Sequence, residues 1–376
     1  MKKKLLSMLL VAGMVGSLAG CGASSSETAA TSDGGETTKT EASTDATDSD
    51  AAADTDSGDE ITVGFSQVGA ESDWRTANSQ SMKDTFSEEN GYKLIFDDAQ
   101  QKQENQITAI RNFIQQEVDY IVLAPVTETG WDTVLQEAKD AGIPVIIVDR
   151  MVDVSDDSLY TAWVGSNFEL EGVKACAWLD SYLTATGNDG MDVNIVDIQG
   201  TIGASAQIGR TAGLNAAVEA HDNWTLLEAQ TGEFTQAKGQ EVMESFLKSY
   251  DNINVVYCEN DNEAFGAIDA IEAAGYTVGP DIANGQIMVM SFDSTNAGLN
   301  DVLSGKITCD TECNPLHGPR VQSIIETLES GGTPDKQAYV DEEIFAADDK
   351  VTSINADGSD YAVTAVTQDV IDARAY

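Results

Sequence analysis

The sequence predicts an α/β protein with two doubly wound parallel-sheet domains. Short β-branched runs, each ending in a polar or glycine-rich loop, alternate with amphipathic helical patterns. This alternation occurs twice, before and after about residue 162, which indicates two domains. Strands that alternate with helices are typical of parallel sheets covered by helices on both faces. The hydrophobic content of 41% is normal for a globular protein and supports large cores.

The strands are predicted from short runs rich in β-branched and aromatic residues that end at turn signals. These runs are residues 61–66, 92–96, 118–124, 144–148, 162–165, 193–198, 225–229, 255–258 and 287–292. Between them, apolar stripes at helical spacing predict helices that face the core. The stripes are formed by Ile107, Ile110, Phe113 and Ile114; by Leu170, Val173, Ala177 and Trp178; and by Phe265, Ile268 and Ile271.

Residues 1–20 have the pattern of a signal peptide. Three consecutive lysines follow the first residue, and an apolar run from Leu5 to about Leu18 comes next. That run is too short for a comfortable membrane span. The segment 18–21 (LAGC) resembles the lipobox of bacterial lipoproteins, which predicts cleavage before Cys21 and a lipid on that residue. The alternative is an ordinary secretory signal with an incidental cysteine.

Residues 21–59 predict a disordered, acidic tether. After Cys21 the segment consists almost entirely of Ser, Thr, Ala, Gly, Asp and Glu. Such a composition cannot bury enough apolar surface to offset the loss of chain entropy on folding. Together with lipid on Cys21, it indicates a protein held to the outer face of a membrane, with residues 60–376 forming the folded part.

The charge balance excludes several classes of partner. The chain has 20 Lys plus Arg against 64 Asp plus Glu, a formal net charge of −44. Nucleic-acid binding and polybasic attachment to anionic lipid both require a basic surface. The chain has only two histidines, too few to favour a Ser-His-Asp hydrolase or a multi-histidine metal site. We therefore expect no nucleic-acid partner, no metal and no cofactor.

Polar and aromatic residues recur where the predicted strands end. In open α/β sheets, ligands bind beyond the carboxyl ends of the strands. Any one of these residues could be a solvated loop residue or a helix cap, but the same chemistry recurs in both halves of the chain. Planar carboxylate, amide and guanidinium groups can each engage two neighbouring hydroxyls, and aromatic rings can cover the C–H face of a sugar. The candidates are Glu71, Trp74, Arg75, Asp98, Arg150, Arg210, Phe234, Asn260 and Asp293.

The folded part resembles a known family along its length. The matching segments are residues 63–69 (VGFSQVG), 100–107 (QQKQENQI), 149–150 (DR), 199–201 (QGT), 234–235 (FT) and 241–246 (EVMESF). On these motifs the sequence resembles the periplasmic sugar-binding proteins of ABC importers, in the ribose- and galactose-type group, and most closely its galactofuranose-binding members. The C-terminal part, with Glu312, Asn314-Pro315 and the final Arg374-Ala375-Tyr376, is similar to fructose-binding members.

The resemblance implies a type I periplasmic-binding-protein fold, in which a three-segment hinge joins two lobes and a sugar is enclosed between them. The crossings are expected near Ala162, Glu312 and Val340. The first lobe then comprises residues 60–161 plus 313–339, and the second comprises residues 162–312 plus 340–376. Glu312 is expected to face the sugar and joins the candidate site. A monomer is expected.

The leading hypothesis is a lipoprotein that captures a monosaccharide, galactofuranose or another furanose, pentose or hexose, and delivers it to an ABC permease with its ATPase. The alternative is a sensor component that presents the sugar to a receptor kinase or chemoreceptor. A repressor of this fold would need a basic helix-turn-helix, which residues 1–59 do not offer. An enzyme is not expected. Glycosidases use two carboxylates, but the adjacent residues Asp97 and Asp98 point to opposite faces of an extended segment, so this pair is poor evidence for one.

The cysteines favour free thiols over disulfides. Cys309 and Cys313 are too far apart in an extended segment to be bridged. A turn between them would bring the two sulfurs together, and that alternative stays open at this stage.

Overall fold

The computed structural model describes residues 60–376. The predicted signal peptide, residues 1–20, and the tether, residues 21–59 with Cys21, lie outside the described residues. Within residues 60–376, no helix combines the length and the apolar character that crossing a membrane requires.

The described chain alternates between strands and helices, as the sequence predicts. Its strands are β1 (Ile61–Gln67), β2 (Tyr92–Asp98), β3 (Tyr120–Leu123), β4 (Val145–Val148), β5 (Ala162–Gly165), β6 (Val193–Gln199), β7 (Trp224–Thr231), β8 (Val255–Cys258), β9 (Met288–Asp293), β10 (Cys309–Glu312), β11 (Gln337–Tyr339), β12 (Ile344–Ala346), β13 (Ser353–Ala356), β14 (Ser359–Ala362) and β15 (Thr364–Ala365). Its α-helices are α1 (Asp73–Thr85), α2 (Gln103–Gln115), α3 (Asp132–Asp140), α4 (Phe168–Thr186), α5 (Ser205–Ala220), α6 (Gln236–Ser249), α7 (Asp261–Ala273), α8 (Asn296–Ser304), α9 (Gly318–Glu329) and α10 (Gln368–Ala373).

Two large sheets organise the described chain. The first has six strands in the order β11-β5-β4-β3-β1-β2, and all its pairings are parallel. The second has seven strands in the order β15-β12-β10-β9-β8-β6-β7, with one antiparallel pair, β10 with β12. We call each sheet with its helices a lobe. The predicted fold class, two doubly wound parallel sheets, is confirmed.

Each sheet is buried on both faces, which explains why its central strands are apolar throughout. In β8, Val255 and Tyr257 belong to one hydrophobic cluster, whereas Val256 and Cys258 belong to the cluster on the opposite face. Successive side chains of a strand point to opposite faces, so a continuous apolar run fills both cores. All four cysteines of the described residues are free and buried.

The chain crosses between the lobes three times, and one predicted boundary needs correction. The strand β5 pairs with β4 and β11 and therefore belongs to the first sheet. The first crossing thus follows Gly165, and the predicted boundary before Ala162 is wrong by one strand. The strand β5 pairs in parallel with a neighbour on each side, and the local sequence does not show which sheet a strand will join. The second crossing follows β10, and the third lies between β11 and β12.

The N-termini of many helices are capped by side chains, which fixes the loops that precede them. Serine, threonine or asparagine accepts a hydrogen bond from the third helical residue at the start of α1, α4, α6, α7, α8 and α10. Each such cap contributes about 1 kcal/mol. The capped ends of α1, α7 and α8 adjoin the cleft between the lobes.

The second crossing places a buried histidine at the start of α9. His317 is fully buried, and its Nδ1 atom lies 2.9 Å from the side-chain nitrogen of Asn78. Burial lowers the pKa of His317 to about 4, below the ordinary value of about 6.5.

We expect the stability of the protein to fall as the pH is lowered from about 6.5 to about 4. In this interval His317 becomes protonated in the unfolded chain but stays neutral in the folded protein, which favours the unfolded chain. The contribution is about 3 kcal/mol by the linkage of about 1.4 kcal/mol per pKa unit. Urea unfolding of the parent and of His317→Gln at several pH values measures it. The parent should lose more stability over this interval than the variant, and parallel curves would contradict the assignment.

Candidate ligand-binding site

A small cavity lies between the two lobes. Its walls come from segments that follow β1 and β4 in the first lobe, from segments that follow β6, β7, β8 and β9 in the second, and from the hinge. Its lining consists of Glu71, Ser72, Trp74, Arg75, Asp149, Arg150, Phe168, Ala206, Arg210, Phe234, Asn260, Asp293 and Cys313.

Direct hydrogen bonds join the lobes around this cavity. The backbone N–H of Asp73 donates to Oδ1 of Asn262 at 3.0 Å. The N–H of Glu128 donates to the carbonyl of Gly203 at 2.9 Å. The N–H of Met151 donates to Oγ of Ser205, also at 2.9 Å. These contacts hold the two walls together, so the protein is in a closed state.

In the first lobe, Arg75 is the centre of a buried ion-pair network. Its Nε atom lies 3.0 Å from Oε1 of Glu71, and its Nη1 atom lies 2.8 Å from Oδ2 of Asp149. Burial alone would lower the pKa of Arg75, but the carboxylates of Asp149 and Glu71 more than offset that effect and raise it. Arg75 is therefore a fixed cation with two partners, which orients both carboxylates at the cavity wall.

Arg150 is equally buried but poorly paired. Its guanidinium approaches Glu71 and Asp149 only to 4.0 Å, and its one hydrogen bond among the described residues runs to the carbonyl of Val126, at 3.0 Å. Burial and the neighbouring Arg75 cation lower the pKa of Arg150 to about 10. The guanidinium retains donors that the protein does not use, and those donors adjoin the cavity.

In the second lobe, Arg210 occupies the corresponding place. Its Nε atom donates to Oε2 of Glu171 at 2.7 Å, and its Nη2 atom lies 3.5 Å from Oδ1 of Asp293. The backbone carbonyl of Glu259 accepts a further bond from Nη1. Burial alone would lower the pKa of Arg210, but Glu171, Asp293 and the other nearby acidic groups together more than offset that effect and raise it well above its ordinary value. Burial raises the pKa of Asp293 well above the usual range, and Arg210 offsets this only in part.

Several lining residues have strained backbone. Asp149, Phe234 and Asp293 have φ angles of 61°, 61° and 102°, in the region that glycine normally occupies. Such conformations cost about 1–3 kcal/mol each and persist where the surroundings impose them. Here the backbone N–H of Phe234 donates to the buried carboxylate of Glu263 at 2.8 Å. Asp149 directly follows β4, Asp293 ends β9 and Phe234 lies three residues after β7, and all three line the cavity.

Three aromatic rings supply apolar surface within the cavity. Trp74, Phe168 and Phe234 form one buried cluster with Ala206 and Cys313. The indole N–H of Trp74 donates to the carbonyl of Cys313 at 2.6 Å, which ties the first lobe to the second crossing. Arg150 lies over the ring of Phe234 with its guanidinium carbon 5.0 Å from the ring centre, across the gap between the lobes. The cavity thus combines charged hydrogen-bonding groups with flat apolar surfaces.

The structure brings most of the sequence candidates together. Those that line the cavity are Glu71, Trp74, Arg75, Arg150, Arg210, Phe234, Asn260 and Asp293. Two predictions of position are wrong. Asp98 is exposed and accepts a bond from the N–H of Gln100, because β2 is the edge strand of its sheet. Glu312 is not among the lining residues, and its carboxylate accepts hydrogen bonds from Tyr376 and the N–H of Glu343 and pairs with Arg374 at 3.1 Å.

Sequence reasoning left out five lining residues: Ser72, Asp149, Phe168, Ala206 and Cys313. Asp149 had a usable signal, since it precedes Arg150 at the end of a predicted strand. Phe168 and Cys313 lie on hinge crossings, where neither periodicity nor a strand end marks them.

Comparison with known proteins agrees with this architecture. A family model described as the periplasmic binding protein domain matches residues 63–311. The chain belongs to the periplasmic binding protein family. It is 40% identical over 292 residues, 77% of its length and 88% of the relative's, to the galactofuranose-binding protein YtfQ of Escherichia coli K12.

Solved structures give the same result. A Mycobacterium smegmatis protein in complex with β-D-fucofuranose is 42% identical, with a TM-score of 0.72 over 77% of this chain and 92% of that one. The binding protein of the arabinose ABC transporter from Shewanella sp. ANA-3, bound to α- and β-L-arabinofuranose, is 41% identical, with a TM-score of 0.71 over 77% and 93%.

The close approach of Phe234 to Gly200 can be tested by substitution. A Cβ atom at Gly200 would lie 1.9 Å from the Phe234 ring, so Gly200→Ala should force the ring out of its position. Overpacking of this kind costs about 1–3 kcal/mol, which urea unfolding will measure. Gly190→Ala is the matched control, because no atom lies within 4 Å of the Cβ position at Gly190. Equal stability of the two variants would contradict the prediction.

Proposed function

We propose that this protein is the substrate-binding lipoprotein of an ABC sugar importer and captures a monosaccharide in its furanose form between the two lobes. The observation that carries the proposal is the position of Arg150. Its guanidinium is buried at the cavity wall, yet it has no carboxylate closer than 4.0 Å. A buried charge without partners is costly, and the hydroxyl and ring oxygens of a sugar would provide them.

The cavity wall also offers a hydrogen-bond acceptor that complements the donors of Arg150. Oε2 of Glu71 is buried and accepts no hydrogen bond from the described residues. A sugar hydroxyl can donate to this oxygen while it accepts from Arg150, since each hydroxyl is both donor and acceptor. Hydrogen bonds to charged groups contribute about 1.5–3 kcal/mol each. Trp74, Phe168 and Phe234 would cover the C–H faces of the ring.

The relatives support a furanose. A relative at 40% identity is named for galactofuranose, and two similar structures hold fucofuranose and arabinofuranose. We assign the sugar-binding role to Glu71, Trp74, Arg75, Asp149, Arg150, Phe168, Arg210, Phe234, Asn260 and Asp293.

Binding would act as a switch between open and closed lobes. Arg75 and Arg150 stand on the first lobe, and Arg210 and Asp293 stand on the second, so a sugar contacts both walls only when the lobes are closed. A ligand shifts an equilibrium by its difference in affinity for the two states. The closed protein would then be the form that an ABC permease receives.

The attachment to the membrane rests on the predicted lipid at Cys21 and the acidic tether. Several acyl chains on one cysteine anchor a protein stably, since each buried CH₂ contributes about 0.8 kcal/mol. The protein would thus stay close to its permease outside the cell membrane.

The sensor alternative is supported less. The similar structure that favours it, the fructose-binding domain of a hybrid two-component system, is only 21% identical to this chain and indicates the fold alone.

The function predicts selective stabilisation of residues 60–376 by one or a few sugars from a panel of pentoses and hexoses that form furanoses. A ligand at 100 times its dissociation constant adds about 2.7 kcal/mol, which thermal unfolding detects. A panel in which no sugar raises the unfolding temperature would contradict the proposal.

Arg150→Gln should keep the fold and bind the selected sugar at least tenfold more weakly in calorimetry, a loss of about 1.4 kcal/mol. Arg111→Gln, on the surface of the same lobe, is the control and should bind as the parent does.

Lipid anchoring makes a separate prediction. Cys21→Ala should move the full-length protein from the membrane fraction to the soluble fraction without a change in sugar affinity. Cys176→Ala, which removes a buried thiol, should leave the protein in the membrane fraction. Retention of the Cys21→Ala protein on membranes would refute the lipoprotein assignment.

A further inference from the structure

The three hinge crossings meet at one carboxyl group. Glu342 lies on the third crossing, and its Oε1 atom accepts hydrogen bonds from Oγ of Ser166 on the first crossing and from the N–H of Asn314 on the second, at 2.5 and 2.8 Å. Lys174 donates to the backbone carbonyl of Glu342 at 3.1 Å. One oxygen of one side chain therefore holds all three connections in register.

A second carboxyl group lies beside it. Glu171, in the first turn of α4, uses Oε2 to accept from Arg210, whereas its Oε1 is buried and accepts no bond from an N–H or O–H of the described residues. A carboxylate oxygen of Glu171, one of Glu342 and Sγ of Cys313 all lie within 4.8 Å of one another. Two carboxylates this close in a buried place cannot both be ionised without a large cost.

We propose that Glu342 holds a proton and donates it to Oε1 of Glu171, so that a single shared proton connects the hinge to Arg210. The inference rests on the proposed function, in which Arg210 holds the sugar. Glu171 then has a partner at each oxygen: the Arg210 cation at Oε2 and the Glu342 hydroxyl at Oε1. Glu342 is a positioning residue, because it acts on the sugar through Glu171 and Arg210.

The surrounding charges determine which group holds the proton. Burial raises the pKa of Glu171, and the adjacent Arg210 cation offsets part of that effect and favours the ionised form. Asp293 lies beyond Arg210 at 3.5 Å. The pKa of Glu342 is well above its usual range, because of burial and the charge of Glu171. Burial, with both glutamates nearby, likewise raises the pKa of the Cys313 thiol.

A divalent cation could in principle occupy the same three side chains, but the contacts favour the proton. Glu171 already pairs with Arg210, and Oε1 of Glu342 already accepts two bonds. A neutral thiol is a poor metal ligand. A proton shared between Glu342 and Oε1 of Glu171 requires neither of these contacts to be given up.

The shared proton makes sugar affinity depend on pH. As the pH rises, loss of the proton leaves two adjacent anions at the junction of the crossings, and their repulsion displaces Glu171 from Arg210. Affinity should therefore fall with rising pH. Glu342→Gln removes this dependence, because its amide can donate to Glu171 permanently while its carbonyl accepts from Ser166 and Asn314.

The experiment compares the parent with Glu342→Gln and with Glu343→Gln, an exposed neighbour with the same change of charge. Calorimetric titration with the selected sugar at pH 7 and pH 9 should show a dissociation constant that rises about tenfold or more in the parent and in Glu343→Gln, but stays within about twofold in Glu342→Gln. A Glu342→Gln protein that follows the pH dependence of the parent would overturn the proposal.

A second measurement needs no sugar, so failure of the proposed function and failure of this inference remain distinguishable. Infrared difference spectra of the sugar-free proteins at pH 7 should contain the carbonyl stretch of one neutral carboxylic acid for parent minus Glu342→Gln, and none for parent minus Glu343→Gln. Absence of that band from the first difference would overturn the shared proton. Stabilisation of the parent by Zn²⁺, abolished in Glu342→Gln, would assign a cation and overturn it equally.

Discussion

The burial of three guanidinium groups between two lobes is the constraint on which the site depends. A buried cation without a partner lowers the stability of the folded state by several kcal/mol. Arg75 and Arg210 have carboxylate partners, and two of these partners, Asp149 and Asp293, have left-handed backbone where their strands end. Arg150 is left with a single carbonyl. The lobes can close around this charge at lowest cost when something else completes its hydrogen bonds.

Much of the fold could be predicted because its signals are local. The predicted strands from residue 61 to residue 292 all occur, with ends that differ by one or two residues, since buried parallel strands are continuous apolar runs. The later strands were not predicted. The strand β10 (Cys309–Glu312) is short and mostly polar, β13 and β14 form a hairpin that pairs with neither large sheet, and β11 has only three residues. Their pairing partners, rather than their own composition, make them strands.

The site was predictable to the extent that it follows strand ends. Arg150, Phe234 and Asp293 lie where a strand gives way to a loop, and the structure places them in one cavity. Asp98 fits the same rule yet lies at a sheet edge, because strand order depends on pairings between distant segments. Glu312 has the chemistry of a ligand, but Arg374 and Tyr376, more than sixty residues away in the sequence, bind its carboxylate. Contacts of this range have no signature in a single sequence.

The bonds that join the rims of the lobes have a kinetic consequence. All three donors, at Asp73, Glu128 and Met151, are backbone amides, and their acceptors are an amide oxygen, a carbonyl and a hydroxyl. A molecule enclosed between the lobes leaves when these bonds break, so its residence time is limited by the lifetime of the closed form. Since none of the six groups is charged, dissolved ions do not screen them. These three bonds should accordingly keep their strength at any ionic strength, even in a chain whose net charge is −44.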